Sequence, residues 1–445
     1  RSVSRGLGDV YKRQFQMRSK MLGTKVINAL YFILVYCICF EEVLGKMKFS
    51  LTNIKYLVAV ILFCVVYRVS HPSFRQLKYT NGMKYFSIIL FVAFLVSIPG
   101  FVLIDCDGLK IWKQYLWFPL FIYLFSQVER VSNLTVPLLI NTFVKGMVGF
   151  TLISIFLYFV PLPIWNDYHI YWGRLTVGYP TIDTVLLCFA ILLLLFYPLV
   201  RFSIIHKVIM GFILLVGTLM QASGTSLVLL AIILISMCCY LGGIGLSFRC
   251  IEVRNYKQNI KSFLFLIFLT GSVITSIYTF LSTKEPKLAE TMMLQMENRL
   301  YILIGKEEES TLKDVNTMED RKEKFAHVEQ MYLNTAFSRI FGVGYSLVSM
   351  QDLSKERIVV EDQYHLNLAT IGYLGTFIYF CMLYGIFKRT LRFWNRESLY
   401  LYVPSFFFIL ATSFSSFCIA AFSIIGVTAL IYISMSREMI NIEKI

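Results

Sequence analysis

The chain has 445 residues, 57% of them hydrophobic and only 16% charged, with a mean hydropathy of +0.67. Soluble domains carry roughly 25% charged residues, so composition alone excludes an ordinary soluble fold. The net charge of +15 sits in short connectors between apolar runs, where membrane proteins keep their basic residues, and so excludes a nucleic-acid-binding surface.

Residues 1–16 lack an initiator Met, are basic, and have no apolar core. They read as a non-native leader, with the native start expected at Met17 or Met21. Apolar runs then recur at 25–40, 53–69, 85–104, 111–127, 141–162, 180–200, 204–221, 225–245 and 262–282. Three more follow at 366–386, 399–414 and 417–435. Most are long enough to cross a hydrocarbon core of roughly 30 Å. The expected fold is an all-α polytopic membrane protein of about twelve transmembrane helices, nine in residues 17–282 and three in residues 364–445. Between them lies one long structured loop, 283–363.

Basic residues of the short connectors fall on one side: Arg68, Arg75, Lys78, Lys84, Arg130, Arg201, Lys207, Arg249, Arg254, Lys257, Lys261, Lys388, Arg389, Arg392, Arg396, Arg437 and Lys444. The short connectors of the other side hold only Lys46, Lys48, Lys110, Lys113 and Arg174. The positive-inside rule then puts both termini in the cytoplasm and the loop outside it. In that loop Ala289, Met292, Met293, Met296, Leu300 and Leu303 recur at helical spacing, as in an interfacial amphipathic helix. A second loop helix is expected from Thr317, capped with Asp320, with Arg321, Phe325, Val328 and Tyr332 on one face that must pack on the bundle or the lipid surface. The ten cysteines show no metal spacing and read as small apolar residues.

Charges held near the membrane on the outer side are costly and therefore informative. Three groups stand out: Trp172-Gly173-Arg174 with Asp183; Arg321; and Glu361, Asp362 and His365 at the mouth of the tenth span. Guanidinium groups bind phosphate bidentately, and a carboxylate or imidazole can accept a proton from an attacking hydroxyl. That pairing suits a lipid diphosphate substrate. No HExxH or Cys/His metal pattern occurs, and a metal-free reaction without cofactor is expected. The blander alternatives are an interfacial arginine at 174, a solvated Arg321, a helix-start histidine at 365, and glycines 342 and 344 in a tight turn of positive φ.

The combination resembles the O-antigen polymerase and ligase family of bacterial envelope glycosyltransferases. The matching stretches are Arg321, Phe341-Gly342-Val343-Gly344-Tyr345, Glu361-Asp362, and Gly372-Tyr373-Leu374-Gly375. Upstream they are Arg174-Leu175-Thr176-Val177-Gly178-Tyr179-Pro180 and the polar turn Gln221-Ala222-Ser223-Gly224-Thr225-Ser226. The acidic pair stands where the ligases carry His-Asn, which is more like the polymerases, and the polar turn lacks the family's arginine. The resemblance implies a GT-C-like, Wzy-type polysaccharide polymerase of the bacterial plasma membrane. Its partners would be an undecaprenyl-diphosphate-linked oligosaccharide and the bilayer, with a flippase and a chain-length regulator of the same pathway. By resemblance Arg174 and Arg321 hold the diphosphate, and Asp362, Glu361 or His365 serves the acceptor hydroxyl. The alternatives are a ligase of the same family, or a lipid-linked oligosaccharide flippase or other secondary transporter.

Overall fold

A computed structural model describes residues 23–46, 53–70, 107–160, 180–197, 202–221 and 224–241, then 333–342, 363–393, 398–413 and 421–443, with isolated positions between them. Every regular element among the described residues is a helix. We number them α1 (Gly23–Cys39), α2 (Glu41–Lys46), α3 (Ile54–Ser70), α4 (Asp107–Val131), α5 (Val136–Phe159), α6 (Pro180–Phe196), α7 (Ile204–Met220) and α8 (Gly224–Leu241). A short α9 (Ala336–Phe341) precedes α10 (Gln363–Thr390), α11 (Leu399–Ser413) and α12 (Phe422–Glu443). Three stretches are long and apolar enough to cross a membrane, Val136–Leu157, Gln363–Phe393 and Phe422–Met439, and five shorter apolar helices accompany them.

The helices pack as membrane helices do, through small residues that let backbones approach. A Cβ on Gly146 of α5 would lie 2.6 Å from Cys39 Sγ, one on Gly217 of α7 2.7 Å from Thr151, and one on Gly426 of α12 2.5 Å from Ile38. Large rings fill the interior: Tyr31, Phe121, Phe125, Phe143, Phe150, Phe189 and Tyr402 are all buried. By contrast α7 turns Ile204, Ile205, Val208 and Phe212 outward, as expected of a face meeting lipid.

Ring contacts fix the directions. Tyr56 stacks on Trp117 (5.1 Å) and Phe63 meets Tyr123 (5.5 Å), while the Ser70 and Tyr123 hydroxyls bond at 3.0 Å. Position numbers rise together on α3 and α4, so the two run parallel. The intervening chain therefore joins opposite ends of the bundle. The same holds for α8 and α10, both antiparallel to α11. Tyr240 packs on Tyr400 at one end of α11, Phe387 packs on Phe406, and Tyr364 donates to Leu410 O (3.4 Å) at the other. The expected third and ninth spans, 85–104 and 262–282, lie largely outside the described residues, although Ile88, Phe91, Leu95, Thr275 and Thr279 are helical.

Two expectations are corrected. The last helix runs to Glu443 rather than ending near 435, because polar residues past 435 are tied to neighbouring helices. Arg437 pairs with Glu129 and donates to Ser126 O (3.4 Å). Glu438 accepts from Tyr402 Oη (2.9 Å) and from Ser398 Oγ. The tenth span, expected as one rod over 366–386, is instead broken at Gly372 (φ 65°, ψ −170°).

Candidate functional site

The break makes α10 two arms that fold side by side. Tyr364 and Phe380 are sixteen positions apart and would stand about 24 Å apart on a straight helix. Their rings stack at 5.6 Å with an interplanar angle of 11°, and Tyr364 also meets Tyr379 at 6.5 Å. The Gly-Tyr-Leu-Gly motif explains the fold-back. Gly372 takes a backbone conformation essentially confined to glycine. Gly375 makes room for the returning arm, since a Cβ there would sit 2.5 Å from Ile371 Cβ, where an ordinary helix separates such neighbours by about 5–6 Å.

The loop's Phe-Gly-Val-Gly-Tyr motif meets this bend. Helix α9 opens on a capping box between Thr335 and Ser338 and ends on Gly342 (φ 76°), which fulfils the expected positive-φ turn at that glycine. A Cβ on Gly342 would lie 2.4 Å from Thr370 O and 2.5 Å from Ile371 N; one on Gly372 would lie 2.4 Å from Ile340 O and 2.5 Å from Gly342 N. The two motifs, thirty residues apart in sequence, thus clasp backbone to backbone with no side chain between them. Any residue but glycine at either position would drive them apart.

His365 rides in the first turn of the short arm, half-buried, with its ring 4.3 Å from that of Phe325. Glu323, Phe325, Ala326, Glu329 and Gln330 are helical positions. Phe325 thus meets the ring of a candidate site residue. The opposite face of the arm carries Gln363, Asn367 and Thr370, all fully buried; Gln363 Nε2 donates to Asn367 Oδ1 (2.8 Å) and Thr370 Oγ1 to Leu366 O (2.6 Å). Since Tyr364 reaches Leu410, three residues before the end of α11, the arm starts inside the bundle and rises to Gly372. His365 sits in the first turn of the arm, seven residues before Gly372.

The other proposed ligands, Arg174, Arg321, Glu361 and Asp362, lie outside the described residues, as does the expected cap at Thr317. Asp183 is buried in the first turn of α6, and Gln221 and Ser226, flanking the polar turn between α7 and α8, are buried as well.

Sequence reasoning missed one charged pair. Glu41 and Lys55 form an ion pair with side chains 9% and 7% exposed, and Glu41 Oε2 also accepts the Ser423 backbone N–H (2.8 Å) at the start of α12. Lys55 Nζ lies 4.9 Å from the Tyr56 ring and 5.5 Å from that of Phe422, and Trp117 closes the box against both rings (5.1 and 5.4 Å). Trp117 is ten residues into α4, about 15 Å from its first turn. Phe150, in contact with Phe40, is nine residues short of the end of α5, about 14 Å. The pair is therefore buried where the starts of α2, α3 and α12 meet the side of α4. The signal was Lys55 just inside an apolar run that follows Glu41-Glu42, which a count of loop charges passes over.

Neither the family models nor the curated proteins compared with this sequence match it.

Proposed function

We propose that the chain is a Wzy-type polysaccharide polymerase of the bacterial plasma membrane, transferring a growing glycan from undecaprenyl diphosphate to the next lipid-linked repeat unit. The observation that carries the reading is the Gly342–Gly372 clasp: two short motifs that carry the family resemblance are built against each other, and the clasp suspends the arm that directly follows Glu361-Asp362. The parallel runs of α3 with α4 and of α8 with α10 support an odd number of crossings between each pair. Arg68, Arg130, Arg392 and Arg437 lie toward the end opposite Gly372 and Glu41, and the positive-inside rule supports assigning the Gly372 end to the extracytoplasmic side.

In this mechanism Arg174 and Arg321 hold the diphosphate through bidentate, charge-assisted bonds. The acceptor hydroxyl attacks the anomeric carbon of the donor glycan, and the bond to the diphosphate oxygen breaks. Undecaprenyl diphosphate leaves, and the hydroxyl proton passes to Asp362, Glu361 or His365. The chemistry is proposed to need no metal or cofactor. Carboxamide variants Asp362→Asn and Glu361→Gln test it in cells of the producing strain: loss of extension with single repeat units left on the lipid is expected, whereas His365→Ala should keep partial activity. Arg321→Lys should stay impaired because the charge remains and the fork is lost. Long lipid-linked chains that never reach a final acceptor would instead identify a ligase.

Two observations favour a second reading, a transporter of the same lipid-linked oligosaccharide. Transporters use broken helices and buried ionisable residues, and the Gly372 break and the buried Glu41–Lys55 pair are of that kind. Movement of labelled oligosaccharide across vesicles without any increase in glycan length would establish that reading.

A further inference from the structure

We propose that the crevice between α5 and α7 is a binding site for an anionic phospholipid, with its phosphate held by Lys145 and Lys207 and its acyl chains laid along the outward face of α7. Both helices start at the end of the bundle that also carries Arg68 and Arg130, so the lipid is drawn from the cytoplasmic leaflet under the positive-inside rule. The site stands independently of the polymerase reading.

Lys145 is in an unusual place. It lies nine residues past Val136 on α5, about 14 Å along the axis, and it is exposed. Leu138 and Leu152, seven residues to either side and hence on the same face, are 41% and 50% exposed, as on a face that meets lipid. A lone ammonium on such a surface is costly unless its flexible stem carries it toward the headgroups. Lys145 is bent in that way: its Nζ stands 5.6 Å from the centre of the Phe202 ring, just ahead of the first turn of α7. The two helices run in the same direction from nearly level starts, because Gly217, thirteen residues into α7, meets Thr151, fifteen residues into α5. Phe202 is therefore about level with the start of α5, and the ammonium reaches back toward the headgroup region.

Charge and shape together name the ligand. Lys207 is in the first turn of α7, where the helix dipole opposes a cation, and that turn has no acidic residue to balance it. The carboxylate beside the start of α5, Glu129, accepts the Val136 N–H (3.4 Å) and pairs with Arg437. Among the described residues no ion pair takes up Lys145 or Lys207. Next to these two cations lies an apolar stripe of α7, where Ile205, Val208 and Phe212 recur at helical spacing and are each half or more exposed. A free inorganic anion would use the lysines and leave the stripe uncovered. A zwitterionic lipid would cover the stripe and leave the charges unmatched. An anionic phospholipid serves both.

The test uses the full-length protein, purified in mild detergent and offered equal amounts of phosphatidylglycerol and phosphatidylcholine with the same acyl chains. Native mass spectrometry counts the lipid retained by each protein molecule. The wild type should retain phosphatidylglycerol in preference. Lys145→Gln and Lys207→Gln should each lower that preference about fivefold, the equivalent of about 1 kcal/mol for one basic residue near an anionic headgroup, while Lys145→Arg keeps it. Arg68→Gln removes an exposed cation at the same end and should leave the preference unchanged. Equal retention of the two lipids by the wild type would overturn the site. An equal loss in Arg68→Gln would also overturn it, because the preference would then belong to overall charge. Lipid-free dimers would overturn it too, by assigning the face of α7 to a second copy of the chain. If Lys145→Gln does not fold, Lys207→Gln decides alone, and an unchanged preference there sinks the proposal.

Discussion

Removing one member of the Glu41–Lys55 pair is expected to destabilise the bundle far more than removing both. The attraction between touching opposite charges at an effective dielectric constant near 20 is on the order of 4 kcal/mol. Each ion gave up hydration worth several kcal/mol on burial, so the pair roughly balances its own desolvation. Both side chains are less than a tenth exposed, and deleting a single partner should cost about 3–5 kcal/mol. Glu41→Gln keeps an acceptor for the Ser423 N–H now bonded at 2.8 Å but strands the ammonium among Tyr56, Trp117 and Phe422. Lys55→Met fills the same space and strands the carboxylate. The double variant Glu41→Gln/Lys55→Met should recover to within about 1 kcal/mol of wild type, the scale of one ordinary hydrogen bond. The charge-reversed pair Glu41→Lys/Lys55→Glu should not recover, since an ammonium would then face the N-terminus of α12. Thermostability of the detergent-solubilised protein, followed by size-exclusion chromatography, ranks the four. Single variants as stable as wild type would mean that the two side chains are hydrated rather than buried as a pair.

The clasp predicts that Gly342→Ala and Gly372→Ala each lose folded protein or activity: a Cβ would meet backbone at 2.4 Å, and the conformation alone costs about 1–3 kcal/mol. Gly23→Ala is the control, with nothing within 4 Å of the added carbon, and should be neutral in the same expression and activity assays. For topology, an impermeant thiol reagent should label Ser310→Cys from outside the cell and Arg392→Cys only after permeabilisation. Arg392 is the better inner probe because Ser398 is buried against Glu438. Labelling of Arg392→Cys alone in intact cells would invert the map.

The parts of this fold legible in the sequence are those set by one-dimensional patterns. Apolar run length marked α1, α3, α5, α6, α7, α8 and α11 within a few residues, because lipid imposes the same requirement on every crossing. Gly342 was legible as a positive-φ turn because few residues tolerate that backbone. The break at Gly372 was not, since Thr370 to Phe380 reads as continuous apolar helix and glycine is common in membrane helices. What reveals the break is tertiary: Ile371 lying against Gly375 and Tyr364 against Phe380. The extension of α12 past 435 escaped for a similar reason, because Arg437 and Glu438 look like a solvated tail until Glu129, Ser398 and Tyr402 are seen to receive them. The Glu41–Lys55 pair joins residues fourteen apart to a backbone group nearly the whole chain away, and no local window contains all three.

Reconstitution tests the central claim most directly. Purified protein in liposomes with undecaprenyl-diphosphate-linked repeat units from the producing strain, in excess EDTA, should convert single units to a ladder of longer lipid-linked glycans. One undecaprenyl diphosphate should be released for each bond made. Repeat units that remain single in active, folded protein, or that cross the bilayer unlengthened, would contradict it.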